Sequence, residues 1–123
     1  MDIEVIGAGP RESALRQASE ATLRAAGVVD GHLAIELVDA ERIRELNREH
    51  RARDRPTDVL SFPVDEDGPA SGPRELGDVF ICPEYTRDLR EAVVHGVLHL
   101  CGYDHVVDDG EMLALQDRVI EGL

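Results

Sequence analysis

His95-Gly96-Val97-Leu98-His99-Leu100-Cys101-Gly102-Tyr103-Asp104-His105 holds three of the five histidines in a chain of 123 residues. The apolar run through Leu100 predicts a helix, opened by Thr86 or Asp88 and broken at Gly102. At about 100° per residue, His95 and His99 fall on one face, one turn apart. Gly102 turns the chain, and His105 approaches from the next segment. Three neutral imidazoles converging with one position left open make a zinc site of the catalytic kind, one ion per chain. Cys101, two residues after His99, points about 200° away and packs as a small apolar residue. Cys82 ends a strand, so a closed Cys-His site is the weaker reading. His32 and His50 read as hydrogen-bonded structural residues.

Outward from this helix the pattern alternates between strands and helices. Asp2–Ile6 alternates apolar and polar residues and predicts a first strand. After a turn at 7–10, Arg11–Ala26 reads as a helix with Leu15, Ala18, Thr22 and Ala25 on one stripe, stopped by Gly27. Leu33–Val38 reads as a second strand. Asp39 caps a helix from Ala40 to about Glu49, with Ile43 and Leu46 inward. Asp58–Val64 reads as a third strand, placed at an edge by Pro63. The acidic Gly/Pro-rich stretch 65–75 reads as a mobile surface loop. Leu76–Cys82 is the fourth strand, ended by Pro83. Asp108 with Glu111 resembles a capping box before a last helix, with Met112, Leu113, Leu115, Val119 and Ile120 toward the core. The expected fold is α+β: a small four-stranded mixed sheet packed with four to five helices, as a single domain over 1–123.

Composition narrows the class. The chain is 42% hydrophobic and has no Trp, so its core must be aliphatic. Two cysteines exclude a disulfide-dense scaffold. No signal-peptide pattern opens the sequence, and no apolar run reaches the roughly 18 residues of a membrane span. The expectation is a soluble cytoplasmic protein with no membrane partner. Thirteen basic residues, all Arg, stand against 26 acidic ones, for a net charge of −13. That balance argues against non-specific nucleic-acid binding. Between Arg42 and Arg55, however, six Arg face only Glu45, Glu49 and Asp54. This stretch is either a docking site or a solvated helix face, with Glu41 and Glu45 paired to Arg44 and Arg48.

The spacing His-x-x-x-His-x-x-Gly-x-x-His is that of the metzincin zinc motif, so the ligand helix is metzincin-like. Those proteases carry Glu after the first His as general base; here the position is Gly96, which cannot take a proton. The cage is kept and the protease chemistry is not.

Two stretches resemble the YbeY family, bacterial zinc-dependent endoribonucleases that act as ribosomal RNA maturation factors. One is His95-Gly-x-Leu-His99-Leu-x-Gly102-Tyr103-Asp104-His105. The other is Leu46-Asn47-Arg48-Glu49-His50-Arg51, then Asp54, then Pro56 to Pro63. Leu76-Gly77-Asp78 and Ile81-Cys82-Pro83 match between them. The resemblance implies zinc on His95, His99 and His105, and cleavage of single-stranded RNA. It also implies roles in maturing the 3′ end of small-subunit ribosomal RNA and in ribosome quality control, with the ribosome or its proteins as partners and no DNA. Arg51 stands where the family carries an arginine important for activity. The segment between Pro83 and His95 is shorter than is usual in the family, which bears on the shape of the groove.

On this reading a zinc-activated water attacks the phosphodiester, and the Arg51 guanidinium stabilises the charge on phosphate. Arg53 and Arg55 either hold neighbouring phosphates or are simply solvated. Ser61 and Asp58 flank the edge strand, where they either line the groove for substrate or serve structure. Asp104 accepts from an imidazole behind the metal or caps the turn. Tyr103 packs or stacks on a base. The competing readings are a peptidase-like zinc hydrolase without the usual base and a ribosome-associated binding factor without catalysis.

Overall fold

A computed structural model describes residues 1–64, 75–105 and 108–123. Its elements in chain order are β1 (Asp2–Ile6), α1 (Glu12–Ala25), β2 (His32–Leu37), α2 (Ala40–Arg51), β3 (Val59–Pro63), β4 (Glu75–Ile81), α3 (Leu89–Leu100) and α4 (Glu111–Glu121). Short 3-10 turns at Gly9–Arg11 and Pro83–Tyr85 join them. The sheet order is β1-β2-β4-β3. β1, β2 and β4 run parallel, and β3 pairs antiparallel to β4 at the edge. The mixed α+β sheet and the edge position of the Pro63 strand are as expected.

Strand alternation sorts the core into two layers. Leu33, Ile35, Val79 and Ile81 meet α1 and α3 on one face, together with Met112 and Val119 of α4. On the other face, Leu60, Phe62 and Phe80 meet Ile43 and Leu46 of α2. Cys82 is fully buried in this second layer. Helix α3 packs on β3 and β4 and against α1 and α4, and its His95 and His99 line one cleft with residues of β3.

Several details differ from the sequence reading. In α1 the buried residues are Leu15, Ala18, Ser19, Thr22 and Leu23, while Ala25 is exposed at the helix end. Ser19 and Thr22 can be buried because their hydroxyls donate to the Leu15 and Ala18 carbonyls at 2.9 and 2.7 Å. Leu113 is exposed rather than inward, because it lies about 100° round from the buried Met112. The capping bonds of α4 are displaced by one residue: Asp108 accepts from Met112 N at 3.0 Å, and Glu111 accepts from Asp109 N at 2.7 Å. Glu75 begins a strand rather than ending a loop, and 65–74, the rest of that expected loop, lie outside the described residues. Asp88 is the cap of α3, accepting from Arg90 N and Glu91 N. Six residues of α3, Leu89–Val94, or about 1.7 turns, precede His95; within them Ala92, Val93 and Val94 are buried. No helix among the described residues is long and apolar enough to cross a membrane.

Candidate metal centre and its cleft

Gly102 decides where the third histidine goes. It takes φ +97°, which L side chains rarely adopt. Its N–H bonds the His99 carbonyl at 3.0 Å and the Tyr103 N–H bonds the Leu98 carbonyl at 3.1 Å, closing the end of α3. The reversed chain then brings the Tyr103 carbonyl onto His99 Nδ1 at 2.9 Å, and His105 against both helical rings. Ring centroids stand 4.8 Å (His95–His99), 5.2 Å (His95–His105) and 5.5 Å (His99–His105) apart. One ligand nitrogen from each lies within 4.8 Å of the others.

The donor chemistry fits a cation. A carbonyl only accepts, so His99 Nδ1 carries the proton and Nε2 presents its lone pair to the cleft. His95 Nδ1 lies 2.8 Å from Gln116 Oε1, which selects the same tautomer. The two Nε2 atoms stand 3.2 Å apart. At that distance either a cation lies between the two lone pairs or one of the nitrogens carries a proton and donates to the other. Burial first, then the adjacent His95 ring, holds His99 below the ordinary histidine pKa, so the ring is neutral and free to ligate. Among the described residues no fourth His, Cys, Asp or Glu joins the group. Three imidazoles converging in this way could hold a metal ion. Cys101 packs on the apolar core instead.

The same cleft, of about 920 Å³, is lined by His95, His99, His105, Arg51, Arg53, Arg55, Ser61, Tyr103 and Asp104 of the residues singled out from sequence, and not by Asp58. Arg51 ends α2; its Nη2 donates to the Ser61 carbonyl at 2.8 Å, and its guanidinium lies 5.6 Å from the Phe62 ring centre. Ser61 is buried, and its hydroxyl donates to the Gly96 carbonyl at 3.3 Å, tying β3 to the ligand helix. Asp104 is exposed at the rim. The acceptors behind His95 and His99 are Gln116 and the Tyr103 carbonyl rather than Asp104. Asp58 instead accepts from Val59 N at 2.8 Å, a turn role. Of the other histidines, His32 is hydrogen-bonded to Glu75 at 2.9 Å, as expected, whereas His50 is exposed and stacks at a tilt with its ring centroid 4.8 Å from that of Phe62.

The charges of the Arg-rich stretch divide by side. Arg42 pairs with Glu45 at 3.3 Å and Arg44 with Asp54 at 2.7 Å. Glu41, the expected partner of Arg44 and Arg48, makes no ion pair within 4 Å with either among the described residues, though its charge still acts on Arg44. Among the described residues no carboxylate lies within 4 Å of Arg51, Arg53 or Arg55, the three that line the cleft. Their loop is set by Ala52, in the left-handed region at φ 57°, and by Asn47, whose side chain donates to the Arg55 carbonyl at 2.9 Å. Asn47 and Gln116 are the residues that sequence reasoning passed over. Each is a buried amide on the inward face of its helix, and a polar residue there signals a buried hydrogen bond.

Residues 10–123 match the family model described as Endoribonuclease YbeY. A protein of that name from Persephonella marina is 37% identical over 124 residues, 89% of this chain and 81% of the relative. Another from Staphylococcus aureus is 39% identical over 111 residues, 74% of this chain and 72% of the relative. The solution structure of TM1509 from Thermotoga maritima superposes with a TM-score of 0.61 at 31% identity, covering 97% of this chain and 87% of that one. The sequence match spans both the arginine loop and the histidine helix, and the chain belongs to the endoribonuclease YbeY family.

Proposed function

We propose that this chain is a zinc-dependent hydrolase that cuts single-stranded RNA. We place its work in maturing the 3′ end of small-subunit ribosomal RNA and in ribosome quality control, in the cytoplasm. The observation that carries the reading is the meeting, in one cleft, of three convergent imidazoles and three arginines without carboxylate partners among the described residues. His95, His99 and His105 would hold the ion. When bound, zinc supplies Lewis acidity and a water that ionises near neutral pH.

The chain's own residues do the rest. Arg51 uses one of its five N–H groups on the Ser61 carbonyl, which anchors the guanidinium beside the cage and leaves other donors for phosphate oxygens. Arg53 and Arg55 hold flanking phosphates on a loop fixed by Asn47. A net charge of −13 repels nucleic acid elsewhere, so binding is confined to this cleft or assisted by a ribosomal partner. Gly96 speaks against a peptidase with a base at that position: a Cβ there would meet Val79 Cγ1 at 2.6 Å, toward the sheet. The ribosomal assignment rests on the likeness of the two motif stretches.

The test is cleavage of a single-stranded RNA ladder and of a peptide library, with and without chelator, beside metal analysis. Cleavage of RNA alone, abolished by chelator and by His99→Ala together with metal loss, is the expected result. An Arg51→Ala protein should keep its metal and lose activity. An His99→Ala protein that still held metal and cut RNA would sink the scheme. Zinc-loaded protein that binds RNA without cutting it would favour the non-catalytic binding factor.

A further inference from the structure

Gln116 sits on α4, 21 residues beyond His95, with 8% of its surface exposed. It occupies the inward stripe of that helix, between the buried Met112 and Val119, where an apolar side chain would serve packing. Its carbonyl oxygen lies 2.8 Å from His95 Nδ1. The arrangement repeats on the neighbouring ring, where the Tyr103 carbonyl takes His99 Nδ1 at 2.9 Å. Both helical histidines are therefore held from behind, one by a main-chain carbonyl and one by a side-chain amide.

We propose that Gln116 is a positioning residue for the metal centre, accepting the His95 Nδ1 proton so that Nε2 faces the ion. This rests on the metal reading above. An amide differs from a carboxylate in one respect that matters here. Its NH₂ end can donate to Nδ1 in the opposite tautomer, which places a proton on His95 Nε2, 3.2 Å from His99 Nε2. That arrangement satisfies the two rings without metal. Turning the amide restores the ligating tautomer. Gln116 thus supports His95 in both states, whereas Glu at this position would favour the ligating tautomer alone.

The experiment compares the full-length wild type with Gln116→Met, which keeps volume without an acceptor, and Gln116→Glu, which keeps the acceptor. Zinc affinity is read by competition with a chromophoric chelator. Gln116→Met should bind about ten- to a hundredfold more weakly, the usual loss for an outer partner of a ligating histidine. Gln116→Glu should match or exceed wild type. In the zinc-loaded wild type, a proton–nitrogen correlation spectrum should show His95 protonated at Nδ1 and sheltered from exchange. That measurement decides the matter even if Gln116→Met fails to fold. Wild-type affinity in a folded Gln116→Met, or zinc on His95 through Nδ1, overturns the role of Gln116 and leaves the metal site standing. A wild type that binds no zinc overturns both.

Discussion

Gly96→Ala is the smallest change that tests how the cage is held. The added Cβ would stand 2.6 Å from Val79 Cγ1, 3.2 Å from Val79 Cγ2 and 3.3 Å from Ser61 Oγ. Carbon atoms prefer about 3.5–4.0 Å, so α3 must retreat from the sheet by roughly 1 Å or Val79 must leave its rotamer. Val79 is fully buried on β4 and has little room to yield. Overpacking of this kind costs about 1–3 kcal/mol, while glycine to alanine inside a helix returns up to about 1 kcal/mol. A contact so deep inside the van der Waals limit belongs at the upper end, leaving a net loss of about 1–2 kcal/mol. In a domain of this size that lowers Tm by about 4–8 °C. Melts run in chelator separate packing from metal linkage. Zinc affinity should fall as well, since the retreating helix carries His95 and His99 away from His105. Val79→Ala alone should cost about 2 kcal/mol for its buried methyl groups. In the double variant the two losses should fall short of their sum by about 1 kcal/mol or more. A Gly96→Ala protein as stable as wild type, or strictly additive losses, would refute the close approach of α3 to β4 as the feature that seats the histidines.

Three further outcomes follow from the same geometry. Arg51→Lys keeps the charge but loses the planar fork that spans the Ser61 carbonyl and a phosphate, so RNA cleavage should drop by about a hundredfold or more with zinc content unchanged. Asn47→Ala leaves the Arg55 carbonyl without its 2.9 Å donor; it should cost about 1–2 kcal/mol in a denaturant titration and weaken RNA binding by loosening the Arg53–Arg55 loop. His32 is raised above the ordinary histidine value, chiefly by its hydrogen bond to Glu75 and further by Glu4. Its folded pKa exceeds its unfolded one, so its stabilisation is complete below the unfolded pKa and is lost as pH rises through the folded one. The stability advantage of wild type over His32→Gln should therefore shrink across that window, with the pKa itself read from the His32 ring protons. An advantage that grew with pH would contradict the assignment.

The histidine cluster was legible because it is local. His95, His99 and the bend at Gly102 lie within eight residues, and no tertiary information is needed to place the first two on one face. Strand alternation at Asp2–Ile6 and Leu33–Leu37 was legible for the same reason, as was the edge position of β3 from Pro63. What escaped was the tertiary partner of each local feature. Gln116 meets His95 only because α4 folds back over α3, and in sequence it is one polar residue in an apolar stripe. Asn47 likewise faces the Arg55 carbonyl only after Ala52 reverses the chain in a conformation that nothing about alanine announces. Leu113 erred the other way: apolar residues on both sides of a stripe do not say which is buried.

The arginines show how the fold resolves a conflict in the composition. A chain with twice as many acids as bases would be expected to repel a polyanion. Within the Arg42–Arg55 stretch the helix assigns its charges by direction. Arg42 and Arg44 are neutralised by Glu45 and Asp54 on the outer side, while Arg51, at the last turn, swings over Phe62 to the strand that floors the cleft. The left-handed Ala52 then carries Arg53 and Arg55 round to the same side. Exposed ion pairs contribute little to stability, so the pairs at Arg42 and Arg44 matter mainly for which cations they leave unneutralised. Positive charge is thus concentrated beside the three clustered imidazoles, in the cleft where the proposed function brings a phosphate to a metal ion. Screening within about 10 Å at ordinary salt keeps the acidic remainder from cancelling it.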